Sequence, residues 1–244
     1  MSVFSFKYFD IQQNESALKV GTDSMLLGAL CDPKNAKYIL DVGAGTGVLS
    51  LMMAQKNATA QIDAVEIEKN AFKECTLNFN NSNWSDRLHA FESDFFMFDA
   101  EYQYDIIISN PPFYLEDNIS MHEPLSIAKH WNMDKVNDFY KKCASLSHLQ
   151  TKLVLILPHE NLQTHLRIAH ENRWFMAKQV NIHSKPSKPN SRAVLYFTRQ
   201  LTAIKEEELT IREEDNSYTI EYIALTKEFH SRDLNEQKIK TSIF

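Results

Sequence analysis

The chain spends only five glycines in 244 residues, and all of them, Gly21, Gly28, Gly43, Gly45 and Gly47, fall within the first 47. Three alternate in Gly43-Ala44-Gly45-Thr46-Gly47, directly after the apolar run 38–42. A sequence that avoids glycine elsewhere and concentrates it here needs backbone without Cβ atoms, either for positive φ or for the close approach of another group. The segment that follows is strongly apolar (Val48, Leu49, Leu51, Met52, Met53) and free of Gly and Pro. Together these predict a strand, a tight turn and a helix packed on a sheet.

The alternation then repeats. Apolar runs predict strands at 61–67, 88–91, 104–109 and 152–157, and helical patterns lie at 68–80, 136–149 and 159–172. Strands of near-continuous apolar character between helices imply a mainly parallel sheet covered on both faces, an α/β doubly wound domain. Two more strands, 177–182 and 193–198, predict a closing antiparallel hairpin and bring the sheet to seven; a late helix is expected at 218–229. Near the start, Phe4, Phe6 and Tyr8 alternate as in a strand with one apolar face, and Thr22-Asp23 before Met25-Leu26-Leu27 reads as a capped helix. With 43% hydrophobic and 24% charged residues the chain can bury a real core, so 1–244 is read as a single domain.

A net charge of −6 argues against coating nucleic acid by bulk charge. Cys31, Cys75 and Cys143 lie far apart, without the spacing of a disulfide framework or a zinc site, so no metal is expected and a reducing cytoplasm fits. No apolar run approaches the roughly 20 residues that span a bilayer.

In doubly wound sheets, ligands sit beyond the carboxyl ends of the strands where the strand order reverses. Asp41 precedes the glycine turn, and about twenty residues past Gly47 stands Glu66, where a carboxylate can accept from both ribose hydroxyls. A nucleoside cofactor is implied. The spacing is G-x-G-x-G and not the G-x-G-x-x-G that seats a pyrophosphate, which favours a cofactor without phosphates. Asp94, followed by Phe95 and Phe96, suits a contact to an adenine amino group with an aromatic flank.

Asn110-Pro111-Pro112-Phe113 follows the strand at 104–109. Proline at the next position pushes Asn110 out of the α region, and two successive prolines remove two N–H donors, leaving a stiff, acceptor-rich corner. The Asn110 amide oxygen and the Pro111 carbonyl can each accept from an NH₂ group, while Phe113 offers a face to a planar base. An exocyclic amine is a poor nucleophile because its lone pair is delocalised into the ring. Acceptors on its hydrogens favour pyramidal nitrogen and stabilise the positive charge that develops as it attacks a methyl group. This assignment requires open space between Asn110 and the glycine turn.

In this order, Asp41-Val42-Gly43-Ala44-Gly45-Thr46-Gly47, Glu66, Asp94 and Asn110-Pro111-Pro112-Phe113 resemble the Rossmann-like, S-adenosylmethionine-dependent class I methyltransferases of planar amino groups. More narrowly, Lys19-Val20-Gly21-Thr22-Asp23, Leu26-Leu27-Gly28-Ala29, Ile62-Asp63-Ala64-Val65-Glu66 and the tail 218–229 look like the tRNA1(Val) (adenine(37)-N6)-methyltransferase family. The resemblance implies S-adenosyl-L-methionine as cofactor, a tRNA substrate, and an N-terminal extension, 1–37, that lays Asp23 over the cofactor side. Phe113 stands where many adenine enzymes carry tyrosine, and Lys129 where an arginine is expected. Guanine-N2 methylation of rRNA and amide methylation of protein glutamine are alternatives with the same chemistry, but those enzymes carry additional domains. A catalytically silent RNA-binding module is opposed by the intact motifs.

An acidic protein that handles tRNA must present positive charge somewhere. The region 172–205 carries Arg173, Lys178, Lys185, Lys188, Arg192, Arg199 and Lys205 and no acid, leaving nineteen bases against 32 acids elsewhere. Its centre, with Lys185, Lys188 and Arg192, is proline-stiffened like a loop between two strands, and is expected to grip phosphates.

Overall fold

The computed structural model describes residues 2–15, 19–111 and 133–234. Along the chain run β1 (Val3–Ser5), β2 (Asp10–Gln12), α1 (Thr22–Leu30), β3 (Tyr38–Val42), α2 (Val48–Lys56), β4 (Gln61–Glu66), α3 (Lys69–Asn80) and β5 (Leu88–Glu92). Then come β6 (Tyr104–Ser109), α4 (Met133–Ser145), β7 (Ser147–Pro158), α5 (Leu162–Glu171), β8 (Phe175–His183), β9 (Asn190–Thr198), β10 (Lys205–Thr210) and α6 (Ile220–Thr226).

The central sheet has the order β10-β8-β9-β7-β6-β3-β4-β5, with β9 antiparallel to both its neighbours and every other pair parallel. Successive side chains of a strand point to opposite faces, and here both faces are covered. Ile39, Ile106, Ile108, Val154 and Val194 enter the core shared with α1, α2 and α3. Their neighbours Leu40, Ile107, Leu153, Leu155 and Leu195 enter the core shared with α4 and α5. That is why these strands read as unbroken apolar runs.

The sheet has eight strands among the described residues, not seven. The addition is β10, an edge strand parallel to β8 whose sequence is Lys-Glu-Glu-Glu-Leu-Thr; only Leu209 in it is buried. Charge on an exposed edge discourages pairing with other chains, and it also hides the strand from a hydrophobic pattern. The N-terminal aromatics do not form one strand. A turn closed by Phe6 N–H donating to the Phe9 carbonyl at 2.9 Å separates β1 from β2, so Phe6 stacks on Phe9 while Tyr8 sits exposed at the tip. The first three residues of β7 occupy sequence that reads as the end of α4. The N-cap position of α1 is Gly21, which has no side chain to cap with; Asp23 lies inside the first turn and binds Arg192 instead.

The strand order reverses at β3. The chain moves outward through β4 and β5, then returns to the other side of β3 as β6. A crevice therefore opens beyond the carboxyl ends of β3 and β6. Val42 is paired with Ser109, and the buried Ser109 hydroxyl donates to the Val42 carbonyl at 2.7 Å. The glycine turn and the Asn110 corner are thus the next residues on two pinned neighbours.

Candidate active site

A cavity of about 570 Å³ fills this crevice. Its floor is Gly43, Ala44, Gly45 and Thr46, and Asn110 lines it from the end of β6, so the open space required between corner and turn is present. The first turn of α1, with Asp23 and Ser24, forms a second wall.

All three glycines of the turn have positive φ (+69° at Gly43, +56° at Gly45, +83° at Gly47), yet they serve different ends. A Cβ on Gly43 or Gly45 would meet nothing within 4 Å, so bare backbone faces the cavity there. A Cβ on Gly47 would come within 2.6 Å of the Phe79 ring and 2.8 Å of Cys75 Sγ. The third glycine, expected to bind the cofactor, instead lets α3 pack against the turn. The N–H groups of Gly43 and Ala44 donate to the Val65 carbonyl, that of Gly45 to Glu66 and that of Gly47 to Ala44. A turn that spends its donors internally is a poor phosphate cradle.

Glu66 accepts from Gly45 N–H at 2.7 Å through one oxygen and from Glu68 N–H at 2.8 Å through the other. It shapes the turn and, buried, is not among the residues that line the cavity, although each oxygen keeps acceptor capacity for a hydroxyl. Asp41 lies fully buried beneath the turn and outside the cavity lining. One of its oxygens accepts from the Ser50 N–H at 3.0 Å and the Ser50 hydroxyl at 2.8 Å, bracing the start of α2, while the other has no partner among the described residues. Burial pushes the Asp41 carboxyl up to about 7; the Ser50 hydrogen bonds oppose the rise and the charge on Glu66 adds to it.

Asp94 and Phe95 do not reach the cavity. Asp94 is exposed and accepts from Phe96 N–H at 3.0 Å, closing its own turn. Phe95 is buried against Phe139, ring centroids 5.6 Å apart, as a core residue.

Asn110 is half-buried, and its side-chain N–H₂ donates to Ser24 Oγ at 3.3 Å. An amide anchored through nitrogen presents its oxygen on the other side, and no described residue donates to that oxygen. Pro111 is buried beside it. Pro112, Phe113 and Lys129 lie outside the described residues.

The far side of the cavity comes from β8, β9 and the segment after β10, with Arg192, Arg212, Tyr218 and Tyr222. Sequence reading overlooked Ser24 and Arg212, which belong to no motif with a mechanism; only their position in the fold brings them to the cavity. Arg192 does not stand free for a phosphate. Its Nε lies 2.6 Å from the Asp23 carboxylate, tying β9 to the start of α1. Lys185 donates to the Glu214 carbonyl at 3.2 Å, and the Glu214 carboxylate, from the segment after β10, accepts from Ser187 in the Lys185 loop. Lys178 and Lys205 both pair with Glu207. Acid-free in sequence, the 172–205 region is partly compensated in space, and Lys188 stays exposed in the loop.

Among the described residues, no helix is long and apolar enough to cross a membrane. In comparisons with known proteins, residues 15–127 match the methyltransferase small domain family. The fold is shared with a protein described as a predicted O-methyltransferase from Agrobacterium tumefaciens (TM-score 0.66, 17% identity, 85% of this chain and 96% of that one). It is shared more distantly with a ribosomal protein L11 methylase from Lactobacillus delbrueckii (TM-score 0.53, 14% identity, 73% and 77%). Sequence similarity is closer to two proteins named tRNA1(Val) (adenine(37)-N6)-methyltransferase. That of Tolumonas auensis is 37% identical over 94% of this chain and 97% of its own, and that of Flavobacterium psychrophilum is 37% identical over 93% and 99%. With glycine turn, asparagine corner and C-terminal wall all inside that shared length, the chain belongs to the tRNA1(Val) (adenine(37)-N6)-methyltransferase family.

Proposed function

We propose that this chain transfers a methyl group from S-adenosylmethionine to the N6 of adenine 37 in valine tRNA. The observation that carries the reading is the facing of Asn110 and the bare Gly43–Gly45 backbone across one cavity. The residues fit the cofactor. Bare backbone leaves room at Gly43 and Gly45, and a turn that spends its N–H donors internally offers little to an anionic ligand, which suits a cofactor without phosphates. Bound there, S-adenosylmethionine supplies an electrophilic methyl on a sulfonium that leaves as a neutral thioether.

The chain's own work is done at the amine. Ser24 holds the Asn110 nitrogen, so Asn110 Oδ1 accepts one N–H of the target base, and the Pro111 carbonyl takes the second. Both acceptors act on a charge that grows only as nitrogen commits its lone pair, so they stabilise the transition state more than the bound base. Phe113 is assigned the stacking of that base from its motif, which requires the adenine to leave the loop stack. Asp23 and Arg192 close the cavity wall, while Lys185 and Lys188, and Lys129 on its sequence position alone, are assigned to the RNA backbone. The free, buried state of Cys31, Cys75 and Cys143 suits a cytoplasmic enzyme.

Incubation with labelled S-adenosylmethionine and total tRNA, followed by nucleoside analysis, tests the reading. N6-methyladenosine in valine tRNA is the expected product; N2-methylguanosine, or no labelled nucleoside, overturns it.

A further inference from the structure

The methyltransferase small domain match ends at residue 127, while the far wall of the cavity is built from residues beyond 180. The part shared with methyltransferases at large therefore supplies the glycine turn and Asn110, and a separate part of the chain supplies what faces them. In that wall three side chains are stacked. The Arg212 guanidinium lies 4.0 Å from the Tyr218 ring centroid, and Tyr218 is stacked on Tyr222 at 4.9 Å with 15° between the planes. Tyr222 is buried at the base, where the Thr219 hydroxyl caps α6 by accepting from Tyr222 N–H at 3.1 Å. An isolated backbone bridge joins Arg212 to Tyr218.

Arg212 is held flat before anything binds. It donates to the Asn216 carbonyl at 2.6 Å and to the Tyr218 hydroxyl at 2.8 Å. Both acceptors are neutral, and among the described residues no carboxylate lies within ion-pair distance of Arg212, in contrast to Arg192 on Asp23. Edge N–H groups are already engaged in the protein, which disfavours a bidentate carboxylate and leaves a planar cation lining the cavity. A preorganised guanidinium plane recognises a π surface accompanied by negative charge, as a nucleotide is.

We propose that Arg212, backed by Tyr218 and Tyr222, is the stacking seat for a nucleotide adjoining the target base in the substrate RNA. The inference rests on the RNA-methylating reading above. Extruding one base leaves its neighbour with an unstacked face, and Arg212 offers a replacement inside the same cavity.

The test is binding, read by fluorescence anisotropy of labelled tRNA. Intact RNA is compared with RNAs carrying an abasic site immediately 5′ or 3′ of the target adenine, each against wild type, R212A and R212K. Wild type should lose roughly tenfold or more on one abasic RNA, the range measured for single base–aromatic stacks. R212A should bind intact RNA weaker by a similar factor and be indifferent to that abasic site. R212K keeps charge and stem without the plane and should share the indifference, with S-adenosylmethionine affinity within about twofold and an unchanged melting temperature. The seat is overturned if wild type and R212A lose the same factor on both abasic RNAs, if R212K keeps the full wild-type penalty, or if wild type does not bind the RNA. Coupled binding without N6-methyladenosine would refute the proposed function and leave the seat standing; methylation without coupling would do the reverse.

Discussion

The two sides of the cavity are built on different terms. On the side of β3 and β4, the carboxylates are settled within residues 41–68: Glu66 on the N–H groups of Gly45 and Glu68, Asp41 on Ser50. On the side of β8, β9 and β10, charges are settled by remote partners, Arg192 by Asp23 and Lys185 beside Glu214. Local settlement fixes backbone shape at a turn and can be carried as a short motif. Remote settlement exists only once the sheet has formed, so it can differ among proteins that share the turn. The first side accordingly suits the invariant chemistry of methyl transfer, and the second suits recognition of one substrate.

The sharpest way to break this division is Asn110→Ala. It should lower kcat by roughly a hundred- to a thousandfold, the scale for losing one preorganised group at a developing charge. S-adenosylmethionine affinity by calorimetry should stay within about threefold; near-normal turnover would remove the corner from the mechanism.

Next in size is a contrast inside the turn. Gly47→Ala adds a positive-φ penalty to a collision with Phe79 and Cys75 and should cost about 3 kcal/mol in denaturant unfolding. Gly43→Ala adds only the backbone penalty, about 1 kcal/mol, but places a methyl group on the cavity floor and should weaken the cofactor more than the fold. Equal stability losses in the two variants would show that both glycines serve the turn alone.

Asp41 gives an effect of comparable size with a definite sign. Its folded carboxyl is raised to about 7, so between about pH 4 and pH 7 the native state holds a proton that the unfolded chain has released. Wild-type stability should therefore fall across that window relative to Asp41→Asn, which does not titrate, and level off above it. The difference in melting temperature should approach roughly 10 °C, on the order of 4 kcal/mol. A difference independent of pH would mean that Asp41 is ionised throughout.

Smallest is the double variant Lys185→Glu, Lys188→Glu. With Glu214 already packed against their loop, these lysines should matter less to tRNA than their count suggests. Binding should weaken by under about tenfold, and the slope of log affinity against log salt should fall by no more than about 2. A loss of several hundredfold would make the loop the main phosphate contact.

The same contrast explains what could be read from the sequence. Strands β3 and β6, the glycine turn and the Asn110 corner were legible because apolar runs, scarce glycine and Asn-Pro-Pro carry their physics locally. Gly47 and Phe95 were misjudged because a glycine that admits a ring, or an aromatic that fills a core, has the same letters as one that meets a ligand. Strand β10 escaped because its charges suit an edge and obscure alternation. Arg192 and Arg212 could not be told apart along the chain; only the fold gives one a carboxylate and the other two neutral acceptors.

The Ser109 hydroxyl on the Val42 carbonyl has one more consequence. Cofactor jaw and amine jaw spring from adjacent strands of one sheet, so their roots are held at the strand spacing of a β-sheet, just under 5 Å. A tool with a factory-set gap can be fitted with new handles without recalibration, and descendants of this scaffold can change clientele by redrawing β8 to α6 alone.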